Sequence, residues 1–242
     1  DSSTSRGLGD VYKRQANWWA VFFLGLFLSL NYLSAKEENR TAFQESLSVK
    51  DIQDSIDRGC LFLKKIQNQD GSWGSARQTK GLNIFAPVPG SHRAFQLAVT
   101  ALSISALIEN KRDDEKYLKT IQKAQGHLLE HLPNLRRATP MALYNVWAHS
   151  YGLQALSRMH ETTKESEQKL KIEKVMRQQI QMLQRYESVD GGWGYYDFNI
   201  QTKQPSGSSI SFVNATGLVA LKEAQQRGCL LYTSPSPRDV EE

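Results

Sequence analysis

The residues able to do chemistry in this chain are few and dispersed. His127 and His131 stand four apart, a helical spacing that puts two imidazoles on one face and suits a metal ion. No third ligand is placed near them, so they read as an exposed helix face and no metal site is assigned. Asp113-Asp114-Glu115 follows Asn110-Lys111-Arg112, which is the pattern of a solvated turn rather than of a proton donor. Cys60 lies on an apolar stripe and reads as a core residue. The better candidates are polar groups on apolar backgrounds. His92 and Arg93 follow the turn-forming run PVPGS, Asn145 and His149 share one helical face around Trp147, Tyr195-Tyr196-Asp197 follows a glycine-rich turn, and Asn214 falls in the same column as His149. Ligand pockets combine aromatic walls with a few placed polar groups, so His92, Arg93, Asn145, His149, Tyr195, Tyr196, Asp197 and Asn214 form the candidate cavity set. No catalytic residue and no cofactor is assigned.

The elements that must position them are helices. Residues 56–74 (IDRGCLFLKKIQNQDGSWG) and 176–194 (MRQQIQMLQRYESVDGGWG) match at an offset that superimposes Asp70-Gly71 and Trp73-Gly74 on Asp190-Gly191 and Trp193-Gly194. Each block is an amphipathic run closed by a glycine-rich turn. Each is followed by a more apolar helix, residues 95–108 and 212–221, in which Thr100-Ala101-Leu102 aligns with Thr216-Gly217-Leu218. A third pair lies between them, residues 121–132 and 141–159, with Gly152-Leu153 in the corresponding place. Three helix pairs result, each with one outer and one buried member. No sustained alternating run signals a strand.

The ends differ in kind. Residues 5–15 and 229–238 can be encoded by opposite strands of one DNA segment and resemble translated sequencing adapter. Segments 1–15 and 229–242 are therefore set aside as foreign, with the natural termini lying elsewhere. Residues 18–30 (WWAVFFLGLFLSL) carry no charge and are followed by NYLSA and then KEENR. This is the layout of a signal peptide over 16–35 with cleavage after Ala35, and it implies export to the periplasm or the cell exterior. The apolar run is short for a span of ~20 residues, so the membrane enters only through an uncleaved anchor. Residues 36–50 read as a linker and 51–228 as the folded repeat domain. Over the whole chain 30 basic residues face 25 acidic ones. The positive charges form no stripe with interleaved aromatics, which argues against nucleic acid.

Arg58-Gly59, Phe62-Leu63, Gln67, Gly71 and Trp73 fill every fixed position of the pattern [K/R][G/A]xx[F/Y/W][L/I/V]xxxQxxxGxW. This resembles the QW repeat of the prenyltransferase and squalene-cyclase superfamily. The second copy keeps Gly191 and Trp193 and has Glu187 in place of the glutamine. The resemblance implies an all-α fold, an incomplete α/α toroid of about three helix-pair repeats, with the QW residues structural and the cavity at the starts of the inner helices. The DxDD proton-donor motif of such cyclases, the zinc site of protein prenyltransferases and the Cys-Gly-Glu-Gln run of complement-like toroids are missing from the sequence. The expectation is an exported binding or scaffold module with an apolar ligand or a protein partner. The alternatives are a terpene-cyclase-like enzyme acting on an isoprenoid and a carbohydrate-active α/α-barrel enzyme.

Overall fold

The computed structural model describes residues 48–74, 89–110, 114–198 and 204–229. The signal segment, the cleavage position, the first adapter-like segment and Asp113 lie outside them. The chain divides into two compact units, Asp1–Asp57 and Arg58–Glu242. The described part of the first is a helix start. Ser48 caps helix α1 (Val49–Ile66): the Asp51 amide donates to Ser48 Oγ at 3.2 Å and the Ser48 amide to Asp51 Oδ2 at 3.0 Å. This reciprocal box satisfies two orphan donors, and it makes Val49 and Lys50 helical rather than linker.

The second unit is all-α. After the second half of α1 come α2 (Pro89–Glu109), α3 (Asp114–His131), a short 3-10 turn (Leu132–Asn134), α4 (Asn145–Thr162), α5 (Ser166–Tyr186) and α6 (Ser211–Gln226). Among the described residues there is no strand, only an isolated bridge between Ala142 and Tyr196. Helices α2, α4 and α6 lie side by side with α4 in the middle, while α3 packs behind α2 and α5 behind α4. The front helices meet neighbours on several sides, so they carry buried small residues such as Ala94, Ala98, Ala101, Ala148, Ala155, Ala220 and Ala224. The back helices α3 and α5 keep the amphipathic stripe of elements with one buried face. Pro133 cannot continue α3 because it lacks the amide that the next turn would need.

The two glycine-tryptophan turns are built alike. After α1 the Gly71 amide donates to Asn68 O (3.0 Å) and the Asn68 amide to Ser72 O (2.9 Å). After α5 the Gly191 amide donates to Ser188 O and the Ser188 amide to Gly192 O, both at 2.9 Å. Gly71 has φ 90° and abuts the Lys123 carbonyl of α3, so a side chain there would strain the backbone and collide with the next helix. Trp73 is 1% exposed, and its Nε1 donates to Leu63 O at 2.9 Å; Trp193 Nε1 donates to Leu183 O at 2.8 Å. Each indole thus folds back onto its own helix. Gln67 Nε2 donates to Gly71 O and to Thr120 O within the body of α3 (3.0 and 2.9 Å). It ties the turn to the next back helix, using a carbonyl that is not at a helix end. Arg58, Gly59 and Phe62 are exposed.

Two sequence expectations are corrected here. The Trp73 amide donates to Thr100 Oγ1 (3.0 Å) and the Trp193 amide to Asn214 Oδ1 (2.6 Å). Thr100 therefore corresponds to Asn214, not to Thr216. His127 is buried, not an exposed face, and its ring meets His131 edge-on at 4.4 Å with Nδ1 3.6 Å from Asp70 Oδ2. At the end of α6 the Cys229 side chain is buried and its amide donates to Ala224 O at 3.1 Å, closing the helix behind Gly228 at φ 77°. Residues 230–242 lie outside the described set.

Candidate functional site

The loop after Trp193 brings the starts of α4 and α6 together. The Leu143 amide donates to Tyr195 O and the Asp197 amide to Met141 O, both at 2.9 Å. Ser208 Oγ donates to Tyr196 O (3.0 Å) and Ser206 Oγ to Asp197 Oδ1 (2.7 Å). Residues 195–197 are thus pinned to the segment before α4 on one side and the segment before α6 on the other.

On this frame sits a connected aromatic cluster. Phe95 of α2 meets Tyr144 with ring centroids 5.0 Å apart, and Tyr144 meets Tyr195 and Tyr196 at 6.2 and 5.4 Å. Trp147 lies 5.8 Å from Tyr151, 6.3 Å from Tyr195 and 5.7 Å from Phe212 of α6. Tyr196 continues to Phe198 at 5.5 Å. Eight rings therefore form one wall across all three front helices. Phe95, Phe198 and Phe212 are exposed, Trp147, Tyr151, Tyr195 and Tyr196 half-buried, and Tyr144 buried. Tyr144 Oη donates to Tyr196 Oη at 2.6 Å. Burial, and then the bond to Tyr196, raises the Tyr144 hydroxyl above its usual range, so it stays protonated.

The predicted polar residues divide. Tyr195 and Tyr196 stand in the wall. Asp197 is buried and ties the loop through Ser206. Asn214 is taken up in holding the Trp193 amide. His92 is buried in the first turns of α2, and Arg93 is exposed with Nη1 donating to Gln96 Oε1 at 3.1 Å. Asn145 and His149 do share a face of α4, but that face is turned to α5. His149 is 0% exposed, donates from Nδ1 to Gln179 Oε1 at 2.7 Å, and stacks on Tyr186 at 6.0 Å. Burial, only partly offset by the bond to Gln179, lowers its pKa from the ordinary 6.5 to about 4, so the imidazole is neutral at pH 7. Asn145 Nδ2 and Oδ1, His149 Nε2 and Gln179 Nε2 are buried without a protein partner among the described residues. These two residues belong to the seam between α4 and α5, not to the wall.

Sequence reasoning missed Phe95, Tyr144, Tyr151, Phe198 and Phe212 as site residues and took Trp147 as apolar background. The signal was present: Tyr144, Trp147 and Tyr151 have i, i+3, i+7 spacing, one stripe of a helix. Among the described residues no group of three or more His, Cys, Asp or Glu is arranged to hold a metal. No family model, no curated protein and no solved structure matches the chain.

Proposed function

We propose that the chain is a binding module whose aromatic wall takes a ligand with an apolar face, presented by a toroid-type array of helix pairs. The wall carries this reading. Eight connected rings, three of them exposed, form an apolar patch of a kind that marks interaction sites on soluble proteins. The QW resemblance supports the toroid, and the apolar segment 18–30 with its small-residue end supports export by a cleaved signal peptide. Export places the module apart from cytoplasmic metabolism.

A terpene-cyclase-like enzyme is the second reading, favoured by the same apolar wall. It needs an acid able to protonate a bound hydrocarbon. The carboxyl beside the wall in sequence, Asp197, is engaged by Ser206 within the loop, which weighs against it. Calorimetric titration with farnesol, and separately with soluble oligosaccharides, tests the binding module. Saturable binding of one probe, weakened about tenfold or more by Phe212→Ser, is the expected result. A folded chain that binds neither probe refutes the reading.

A further inference from the structure

We infer that the ligand of this wall is a glycan, with pyranose rings lying on Trp147, Tyr151 and Phe212 and sugar hydroxyls meeting Trp147 Nε1, Tyr151 Oη and Tyr195 Oη. The inference rests on the binding-module reading and names its ligand class. Two observations carry it. The first is ring geometry. Trp147 is nearly parallel to Tyr151 (12°, 5.8 Å) and to Phe212 (17°, 5.7 Å). Parallel rings with centroids that far apart are laterally offset rather than eclipsed, so they overlap only in part. Trp147 and Tyr151 are half-buried and Phe212 is exposed, so all three rings are partly accessible. Such rings present a rigid platform at low entropic cost.

The second observation is polarity. Trp147 Nε1, Tyr151 Oη and Tyr195 Oη have no protein partner among the described residues, whereas Tyr144 and Tyr196 bond each other. A hydrocarbon laid over the wall would strip water from three hydrogen-bonding groups and give nothing back. Each group so stranded weakens binding by about tenfold. A pyranose has an apolar C–H face for the rings and a rim of hydroxyls that donate and accept, so it fills both needs. A site whose polar groups want hydroxyl partners selects against ligands that lack them.

The test is calorimetric titration of the full chain with cellohexaose, laminarihexaose, maltohexaose and xylohexaose, and separately with farnesol. The result expected is saturable binding of at least one hexasaccharide. Trp147→Ala and Phe212→Ala should each weaken it by about tenfold or more. Tyr151→Phe and Tyr195→Phe keep the ring and remove only the hydroxyl; each should weaken the sugar by about fivefold with an unchanged circular-dichroism spectrum. Farnesol affinity should not fall in the Tyr→Phe variants. Farnesol binding with no response to any of the four sugars overturns the glycan while leaving the binding module standing. Sugar binding indifferent to Trp147 and Phe212 overturns the site. Silence toward every probe overturns both readings.

Discussion

At the scale of single residues, Trp73 and His149 show how differently two buried side chains hold this molecule. Trp73 is clasped three ways: its ring is covered, its Nε1 is bonded to Leu63 O, and its amide to Thr100 Oγ1. Trp73→Ala leaves a cavity that a pinned turn cannot collapse into. Urea unfolding should show a loss of about 3–5 kcal/mol. A loss below about 1 kcal/mol would contradict the role assigned to the turn. His149 acts through charge. Its folded pKa of about 4 lies below the ordinary 6.5, so protons bind the unfolded chain more readily than the folded one. The stability that neutral His149 contributes is therefore complete above about pH 6.5 and is lost as pH falls toward 4. Burial pushes His127 in the same direction, with Asp70 opposing. His149→Gln removes one titrating group and keeps a side-chain amide near Gln179. Across pH 7 to 4 the parent chain should lose on the order of 3 kcal/mol more than this variant. Parallel stability profiles for the two would exclude His149 as the titrating group.

At the scale of elements, the front helices approach their turns through glycine. A Cβ on Gly217 would lie 2.8 and 2.9 Å from the Trp193 ring, which is held by its bond to Leu183 O. A Cβ on Gly152 would lie 2.5 Å from Leu132 Cδ2, a methyl that can rotate away. Alanine gains about 1 kcal/mol over glycine in a helix. Gly152→Ala should therefore be neutral within about 1 kcal/mol, whereas Gly217→Ala should destabilise by about 1–3 kcal/mol because the ring cannot yield. Thermal melts of the two variants check this, and equal effects would refute it. All six helices were legible in the sequence, because amphipathic stripes and glycine-rich turns are local properties. The match of Gly152-Leu153 to Gly217-Leu218 also agrees with the packing, since Gly152 lies under Leu132 as Gly217 lies under Trp193. The register of Thr100 was not legible. It depends on which residue of a distant helix reaches the tryptophan amide, and a threonine and an asparagine do this job equally well. The wall was passed over for a related reason: the stripe Tyr144, Trp147 and Tyr151 has helical spacing, but on a helix with apolar and polar residues on several faces that spacing does not say which face is packed behind and which is left open. Hence Asn145 and His149 were expected in the cavity, and Tyr144 and Tyr151 were passed over.

At the scale of the whole molecule, the repeat relation shows what the terminal helices leave uncovered. Gly152 and Gly217 fix the register between α4 and α6, and Thr100 and Asn214 that between α2 and α6. In that register Ile104, Leu153 and Leu218 are equivalent. Ile104 and Leu153 are each 0% exposed, while Leu218 is 61% exposed and Val219 beside it is also open. At the other end the same comparison sets α1 against α5. Ile66 is exposed where the equivalent Tyr186 is buried, and Phe62 is exposed where Met182 is partly covered. Among the described residues, faces that are dry within the array are wet at its ends. Repeat arrays expose apolar surface wherever no capping element covers it, and covering such surface stabilises by roughly 25 cal/mol per Å². The chain should therefore associate as its concentration rises. Sedimentation velocity should show a mean mass that increases over the micromolar range, and charged substitutions at both ends, Phe62→Lys with Leu218→Lys, should lower it toward the monomer. Leu218→Lys alone should weaken association with little loss of stability, since an exposed side chain contributes little to the fold. A parent chain that stays monomeric at every concentration, or association untouched by the double variant, would show that these end faces are not the ones that meet.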